Sequence, residues 1–359
     1  MSNIKHRSAA FLLKNKLDPN LLDNCFNRLP LKPSNELEYV NKSNIKIACV
    51  QMELKPYKNL QDFVNHLKDI AVEAQEKGAQ LISFPEYIGL IPLLLSPTFR
   101  DLSWEFLYEL KHENYNFCKE IIKFFSEELS ETLFTCYYNT FALLANQSKL
   151  YIHAGSTILN DKGKLYEKCF LFNPDGDVIL EQNKIFLSKE EKALGITAGE
   201  EIELCSSELG KISILAGNDS YYYEAAKAAK ELGAEIILCP INPSTEDDSL
   251  SERRAAWARC QEEFLYAVVS RFVGKFFDVQ LKGKCAIYSP YDAGKNNSNG
   301  IVIESKNPDK NMVLVKRLNL EYLYLEKDHY HSDYNEIIEE QIISAYKDFP
   351  TPLPRLEIK

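Results

Sequence analysis

Three places in this chain carry residue types that could do chemistry at the edge of a sheet. They are Glu86 in Phe84-Pro85-Glu86-Tyr87, Lys184 in Asn183-Lys184-Ile185-Phe186-Leu187, and Gly217-Asn218-Asp219 after Ile214-Leu215-Ala216. A carboxylate can accept a proton, an ammonium can meet a negative oxygen, and a strand-to-helix bend can aim backbone N–H groups at a bound molecule. Each also has a plainer reading. A Pro-Glu after a strand is commonly a helix cap, a lysine after a hairpin a solvated charge, and a glycine after a buried strand a tight turn with positive φ. The run Glu190-Glu191-Lys192 would ordinarily be an exposed helix face. Substitute nucleophiles are scarce. Ser220 lies about one helical turn beyond Gly217. Cys239, before Pro240 at a strand end, is expected as a small buried hydrophobe, and His153, inside a strand, as a core histidine.

The elements that must position these residues alternate between strand and helix. Residues 1–44 read as an extension, with an amphipathic helix around Ala9 to Leu13 and a turn-rich stretch from Leu29 to Asn35, before the strand Ile45 to Gln51. A helix with apolar Phe63, Leu67, Ile70, Ala71 and Ala74 stops at Gly78 and leads into the strand Leu81 to Phe84. That order sets Glu86 at the carboxyl end of a strand, where open α/β sheets gather their chemistry. An aromatic-rich helical insertion spans 88–148 and reads either as a lid over a pocket or as a packing face. Strands resume at Leu150 to Ser156 and Lys168 to Asn173, and the turn Pro174-Asp175-Gly176-Asp177 joins the latter to Val178 to Gln182, directly before Lys184. The strand Lys211 to Ala216 runs into Gly217 and then a helix from Tyr223 to Leu232. The strand Glu235 to Cys239 breaks at Pro240, and a helix from Arg253 to Glu263 precedes the strand Tyr266 to Ser270. Such alternation predicts a largely parallel sheet covered by helices. The domain division expected is 1–44 as extension, 45–325 as the main domain and 326–359 as tail.

Composition narrows the function classes. The 359 residues are 45% hydrophobic, enough for one large core, and 42 basic against 52 acidic side chains give a net charge of −10. No dense basic run offers a nucleic-acid or anionic-membrane surface, so small molecules or proteins are the expected partners. No apolar run approaches the roughly 20 residues that span a bilayer. Nine scattered cysteines without CxxC pairs argue against structural zinc and a disulfide framework and fit a reducing cytoplasm.

Taken in order, the segments around Glu86, Lys184 and Gly217 resemble the Glu, Lys and Cys motifs of the nitrilase (carbon-nitrogen hydrolase) superfamily. Ala154-Gly155-Ser156 resembles the family's Gly-Gly-Ser strand, and Ala198-Gly199 its Pro-Gly. The resemblance covers about Ile45 to Leu320. It implies a four-layer αββα sandwich, Glu86 as general base, Lys184 as the group that stabilises the tetrahedral intermediate, and Glu191 as second glutamate, with Glu190 its neighbouring option. Gly217 stands where the family has its nucleophilic cysteine, and Asn218 offers an oxyanion N–H. The departure is at the reacting atom, because a glycine forms no thioester. The resemblance therefore implies a protein that receives small amide, nitrile or carbamoyl compounds with its covalent route lost or impaired, whether naturally or by replacement of one residue. The alternatives are a thiol-independent amidohydrolase with Glu86-activated water, and a non-catalytic assembly or regulatory subunit. No metal or organic cofactor is called for. Family analogy implies a homodimer or larger form, with the helices from Tyr223 and Arg253 as contacts and the tail from Lys327 to Lys359 wrapping a neighbour. Specificity is expected from the insertion and from the loop Asn242 to Ser251.

Overall fold

β1 (Ile45–Glu53), an almost wholly buried apolar strand, is the spine around which the chain is laid out. A computed structural model describes residues 4–28, 41–241, 253–277, 279–291 and 299–324, together with residues 341 and 344. The turn at Leu29 to Asn35, the loop Asn242 to Ser251 and nearly all of the tail from Lys327 lie outside the described residues.

On one side of β1 come β2 (Leu81–Ser83), β3 (Tyr151–Asp161), β4 (Lys164–Phe172) and β5 (Val178–Asn183). On the other come β9 (Tyr266–Phe276), β8 (Ile236–Ile241), β7 (Gly210–Ile214) and β6 (Cys205–Ser207). Pairing is parallel from β3 through β2, β1, β9 and β8 to β7, and antiparallel at both outer ends. β13 (Met312–Leu318) adds an antiparallel partner to β1, and β11 (Ala286–Tyr288) another to β9.

Three apolar layers show how the sheet is covered. The helices α3 (Leu60–Glu76) and α6 (Ser130–Ser148) bury Phe63, Leu67, Phe141 and Leu144 against Val50, Ile82 and Ile152. The opposite faces of the same strands, with Ile47, Leu81 and Leu171, pack on Ile212, Ile214, Leu238 and Val268 of the other half. Beyond that half, Ile237 and Val269 meet Ala225 and Ala229 of α8 (Tyr223–Glu231) and Cys260 of α9 (Ala258–Glu263). Helix, sheet, sheet, helix is the expected αββα order. The first two helices, α1 (Ile4–Lys16) and α2 (Pro19–Arg28), are not detached from it: Leu13, Leu17 and Phe26 join the layer that contains Val50 and Phe84. No helix among the described residues is long and apolar enough to cross a membrane.

Several local expectations need correction. The two sheet halves form one hydrogen-bonded path, because β9 pairs with β8 along Tyr266–Arg271 and still reaches β1 along Arg271–Val273. β8 passes through Pro240 instead of breaking there. Its pairing with β7 ends at Leu238, so the missing proline N–H falls where no neighbour on that side asks for it. The helix expected from Arg253 to Glu263 is two pieces, a π turn at Arg253–Trp257 that is itself kinked at a non-helical Ala255, and α9. β3 and β4 are longer than the sequence suggests and meet in a tight hairpin, with Lys162 at φ 50° and Gly163 at φ 86°.

Candidate active site

Each charged side chain of the site is delivered by a different element. Glu86 lies just past the end of β2, as expected, and is held down by the close approach of its loop to β3. A Cβ on Gly155 would overlap the Pro85 carbonyl oxygen, and Gly155 itself sits at φ +59°, so the position favours glycine twice over. Tyr87 follows in the left-handed region, at φ 60°, with its N–H donating to Ser156 Oγ at 2.8 Å. Lys184 emerges from the end of β5, after the hairpin at Gly176 that the sequence indicates. Glu191 is on α7 (Lys189–Leu194), whose N-terminus is a complete capping box: Ser188 Oγ accepts from Glu191 N at 3.1 Å, and Glu191 Oε2 from Ser188 N at 2.7 Å. Glu191, not Glu190, is the buried member of that pair.

These elements bring Glu86, Lys184 and Glu191 together. Lys184 Nζ donates to Glu86 Oε1 at 2.9 Å and to Glu191 Oε1 at 2.6 Å, while a third carboxylate, Glu167 of β4, lies 3.1 Å away through Oε2. Only 2% of the Lys184 side chain and none of Glu86 is exposed. Glu167 did not figure in the sequence reading. Its Oε1 accepts from Ser156 Oγ at 2.7 Å and its Oε2 from the Tyr87 hydroxyl at 2.6 Å, and that hydroxyl is also 2.7 Å from Glu191 Oε1. The Tyr87 ring lies under the ammonium, 5.8 Å from Nζ.

The electrostatics follow from three buried carboxylates around one buried ammonium. Burial alone would discharge Lys184, but Glu86, Glu167 and Glu191 outweigh it and hold the ammonium charged well beyond its ordinary range. Burial and the Glu167 charge raise Glu86 well above the usual carboxylate range, against the pull of Lys184. Glu191 is the opposite case: burial would raise it, yet Lys184, the Ser188 N–H and Tyr87 bring it below the usual range. The carboxylate oxygens of Glu86, Glu167 and Glu191 lie within 4.8 Å of one another. A constellation of that kind could ligate a metal cation, and here the ammonium fills that role.

Gly217 faces this group directly. It opens a single 3-10 turn, Gly217–Tyr221, immediately after β7, at φ +48°. A Cβ there would overlap Glu86 Oε1 and come within 2.7 Å of Lys184 Nζ, so the side chain that glycine lacks would project between the two charged groups. Asp219 ties the turn to the lysine segment, its Oδ1 accepting from Ile185 N at 3.1 Å and Phe186 N at 2.6 Å. Asn218 is half-buried beside Gly217. Ser220 Oγ donates to the Gly217 carbonyl at 2.7 Å, a turn contact that directs the hydroxyl back to the main chain. Cys239 is fully buried on the helix-facing side of β8, its thiol pushed up by burial, which makes it the packing residue expected. His153 is likewise buried, its Nδ1 2.8 Å from Ser83 Oγ and its imidazole pushed down to about 3 by burial, hence neutral. Of the insertion, α5 (Tyr115–Glu128) packs against α7, and Lys189 bridges to Glu113 at 2.7 Å.

Asp219 gives the site a pH signature. Burial lifts its carboxyl from 3.8 to about 7, against the two backbone N–H groups and Lys184. Between those values the folded chain binds more protons than the unfolded one, so this residue's contribution to stability is full below about pH 4 and is lost as pH rises through 7. Asp219→Asn keeps an Oδ1 acceptor and removes the titration. Urea midpoints measured from pH 4 to 8 are expected to fall less steeply in the variant, by a few kcal/mol over that window; identical slopes would show that Asp219 does not titrate there.

Comparisons with known proteins bear on the family and the fold. A sequence profile of the family described as carbon-nitrogen hydrolase matches residues 46–292. The chain is 25% identical over 290 residues to the probable hydrolase YhcX of Bacillus subtilis, covering 79% of this chain and 52% of that protein. It is 22% identical over 208 residues to omega-amidase NIT2 of Homo sapiens, covering 55% of this chain and 63% of that one. The chain thus spans between about half and two thirds of the length of these relatives. Among solved structures, an amidase from Nesterenkonia sp. superposes with a TM-score of 0.61 at 18% identity, over 86% of this chain and 100% of that one. A double mutant of that amidase in complex with acrylamide gives 0.61 at 17%, over 84% and 97%. At such identity these structures establish the fold.

Proposed function

The chain belongs to the carbon-nitrogen hydrolase family, and from that premise we propose that it receives small amide, nitrile or carbamoyl compounds beside Gly217, with the thioester route closed by the missing thiol. One observation carries the reading: a side chain built on Gly217 projects between Glu86 Oε1 and Lys184 Nζ. In this reading Gly217 stands at the nucleophile's position, Lys184 offers the positive charge for a developing oxyanion, Asn218 an N–H, and Glu191 fixes the lysine. A similar amidase structure is described as carrying an adduct at its active-site cysteine, which supports placing a thiol chemistry at this point in the fold. The water-activating alternative is the weaker one, because burial and the Glu167 charge raise Glu86 well above the usual carboxylate range and so favour its acid form, a poor acceptor for water's proton.

The same proposal covers the surroundings. It places the hydrolase-like unit at 45–325, with the insertion at 88–148 covering the approach to the site. It expects a reducing compartment, since all nine cysteines are buried and none is in a disulfide. It expects a homodimer paired around α8, where Tyr222, Tyr223 and Leu232 are exposed.

The test is binding without turnover. Acrylamide, acetamide and propionamide, titrated into the protein, are expected to raise its melting temperature with no ammonia released. Ammonia release that Glu86→Gln abolishes and Cys239→Ala leaves intact would establish the water-activating reading. No shift with any amide or nitrile, together with a stable protein partner in pull-downs, would establish an assembly subunit.

A further inference from the structure

The hydrogen atoms around Lys184 do not suffice if every carboxylate is ionised. Glu86 Oε2 is fully buried and has no donor among the described residues, although its neighbour Oε1 accepts from Lys184. The Tyr87 hydroxyl owns one proton yet lies 2.6 Å from Glu167 Oε2 and 2.7 Å from Glu191 Oε1. It can donate to only one of them. Lys184 Nζ donates to Glu86 Oε1 and Glu191 Oε1 and pairs with Glu167 Oε2 at 3.1 Å, and none of these contacts reaches Glu86 Oε2. A buried carboxylate oxygen without a donor is costly, and two like charges in such proximity are costlier still.

We propose that Glu86 and Glu167 form a carboxyl–carboxylate pair that holds one proton between them at neutral pH, with Glu167 as the proton partner of the site. Oxygens of the two carboxyl groups lie within 4.8 Å of one another. A proton on Glu86 Oε2, donated to Glu167, satisfies the orphaned oxygen and removes one of the two negative charges in excess of Lys184. The other groups that face the pair support this placement. Tyr87 and Ser156 donate to Glu167, and Lys184 forms an ion pair with both members. Glu191 is held ionised by Lys184 and by the Ser188 N–H, so it is not the proton's holder. Asp219 and the buried Cys169 thiol lie further round, and Asp219 is engaged with the backbone of Ile185 and Phe186. The pair sets an acid and its conjugate base side by side next to Gly217. It suits a neutral ligand with an amide carbonyl or N–H and repels a carboxylate. The proton pair is independent of turnover, so its failure would leave the amide-binding proposal standing, and the reverse.

Infrared spectroscopy reads the proton directly. In protein labelled with carbon-13 glutamate, the carbonyl stretch of a buried carboxylic acid identifies a protonated glutamate and excludes Asp219. The wild type is expected to show that band at pH 7. Glu86→Gln should remove it, Glu191→Gln should leave it, and Glu167→Gln should shift the midpoint of its disappearance by about tenfold in proton concentration. The absence of the band in the wild type overturns the proposal even if a variant fails to fold. So does a band that survives Glu86→Gln, or one whose midpoint ignores Glu167→Gln.

Discussion

Replacing Lys184 by alanine is expected to destabilise the protein by roughly 3–5 kcal/mol at neutral pH, the usual cost of removing one partner from a buried ion pair. The ammonium is the common ion-pair partner of Glu86, Glu167 and Glu191, and those carboxylates lie between 0% and 10% exposed. Without it, three acidic groups face one another in a site that water reaches poorly. They can escape only by taking up protons or by opening the junction of β2, β4, β5 and α7. The loss should therefore shrink as pH falls, because protonated carboxyls need no counter-charge. This is the ordinary sign for a carboxylate–ammonium pair, whose contribution to stability is lost on acidification. Thermal melts of Lys184→Ala and the wild type at pH 5 and pH 8 measure this. A variant penalised equally at both values, or hardly at all, would mean that the carboxylates are already neutral or solvated.

Gly217→Cys is expected to produce the largest change in activity, from none detectable to a measurable release of ammonia from small amides, an effect of several orders of magnitude for a thiol nucleophile. Two structural costs limit it. A residue with a Cβ at φ +48° pays roughly 1 kcal/mol for the left-handed region. The new side chain also overlaps Glu86 Oε1 and crowds Lys184 Nζ, although both are the far ends of flexible side chains that can withdraw along their stems. Withdrawal would leave the thiol beside the Glu86–Glu167 pair, in which Glu86 can take its proton while passing its own to Glu167, and beside an ammonium that can hold the thiolate. Activity should therefore depend on Glu86 as well as on the new cysteine, and the double variant Glu86→Gln/Gly217→Cys should return to the background.

The parts of the site that were legible in the sequence are those carried by ordered motifs. Glu86 after a buried strand and Lys184 after a Pro-Asp-Gly-Asp hairpin are local signals, Glu191 follows from the spacing of the family it resembles, and the structure brings these three together, with a capping box at Ser188 holding Glu191. Glu167 was hidden for an equally local reason. The strand was read as starting at Lys168, whereas β4 begins at Lys164, after a hairpin closed by Lys162 and Gly163 with positive φ. Asn160-Asp161-Lys162-Gly163 is the turn chemistry that would have extended both strands and set Glu167 and Cys169 on the same face. The sheet was legible in class but not in continuity, because the junction through β9 depends on a strand long enough to pair with two neighbours in succession, and length is what periodicity reports least well. Pro240 misled for a related reason: a proline ends a strand only where its N–H is needed, and that depends on how far β7 extends.

The most direct test of the central claim, that a side chain at position 217 would stand between Glu86 and Lys184, is intact mass spectrometry of Gly217→Cys after exposure to fluoroacetamide, beside the unaltered chain. All nine native thiols are buried, so the unaltered chain should stay unmodified. The variant should gain one acetamide group at residue 217, and Glu86→Gln or Lys184→Met should change the rate of its gain. A variant thiol that reacts no faster than an unfolded cysteine, or equally fast whether or not Glu86 and Lys184 are present, would contradict the account.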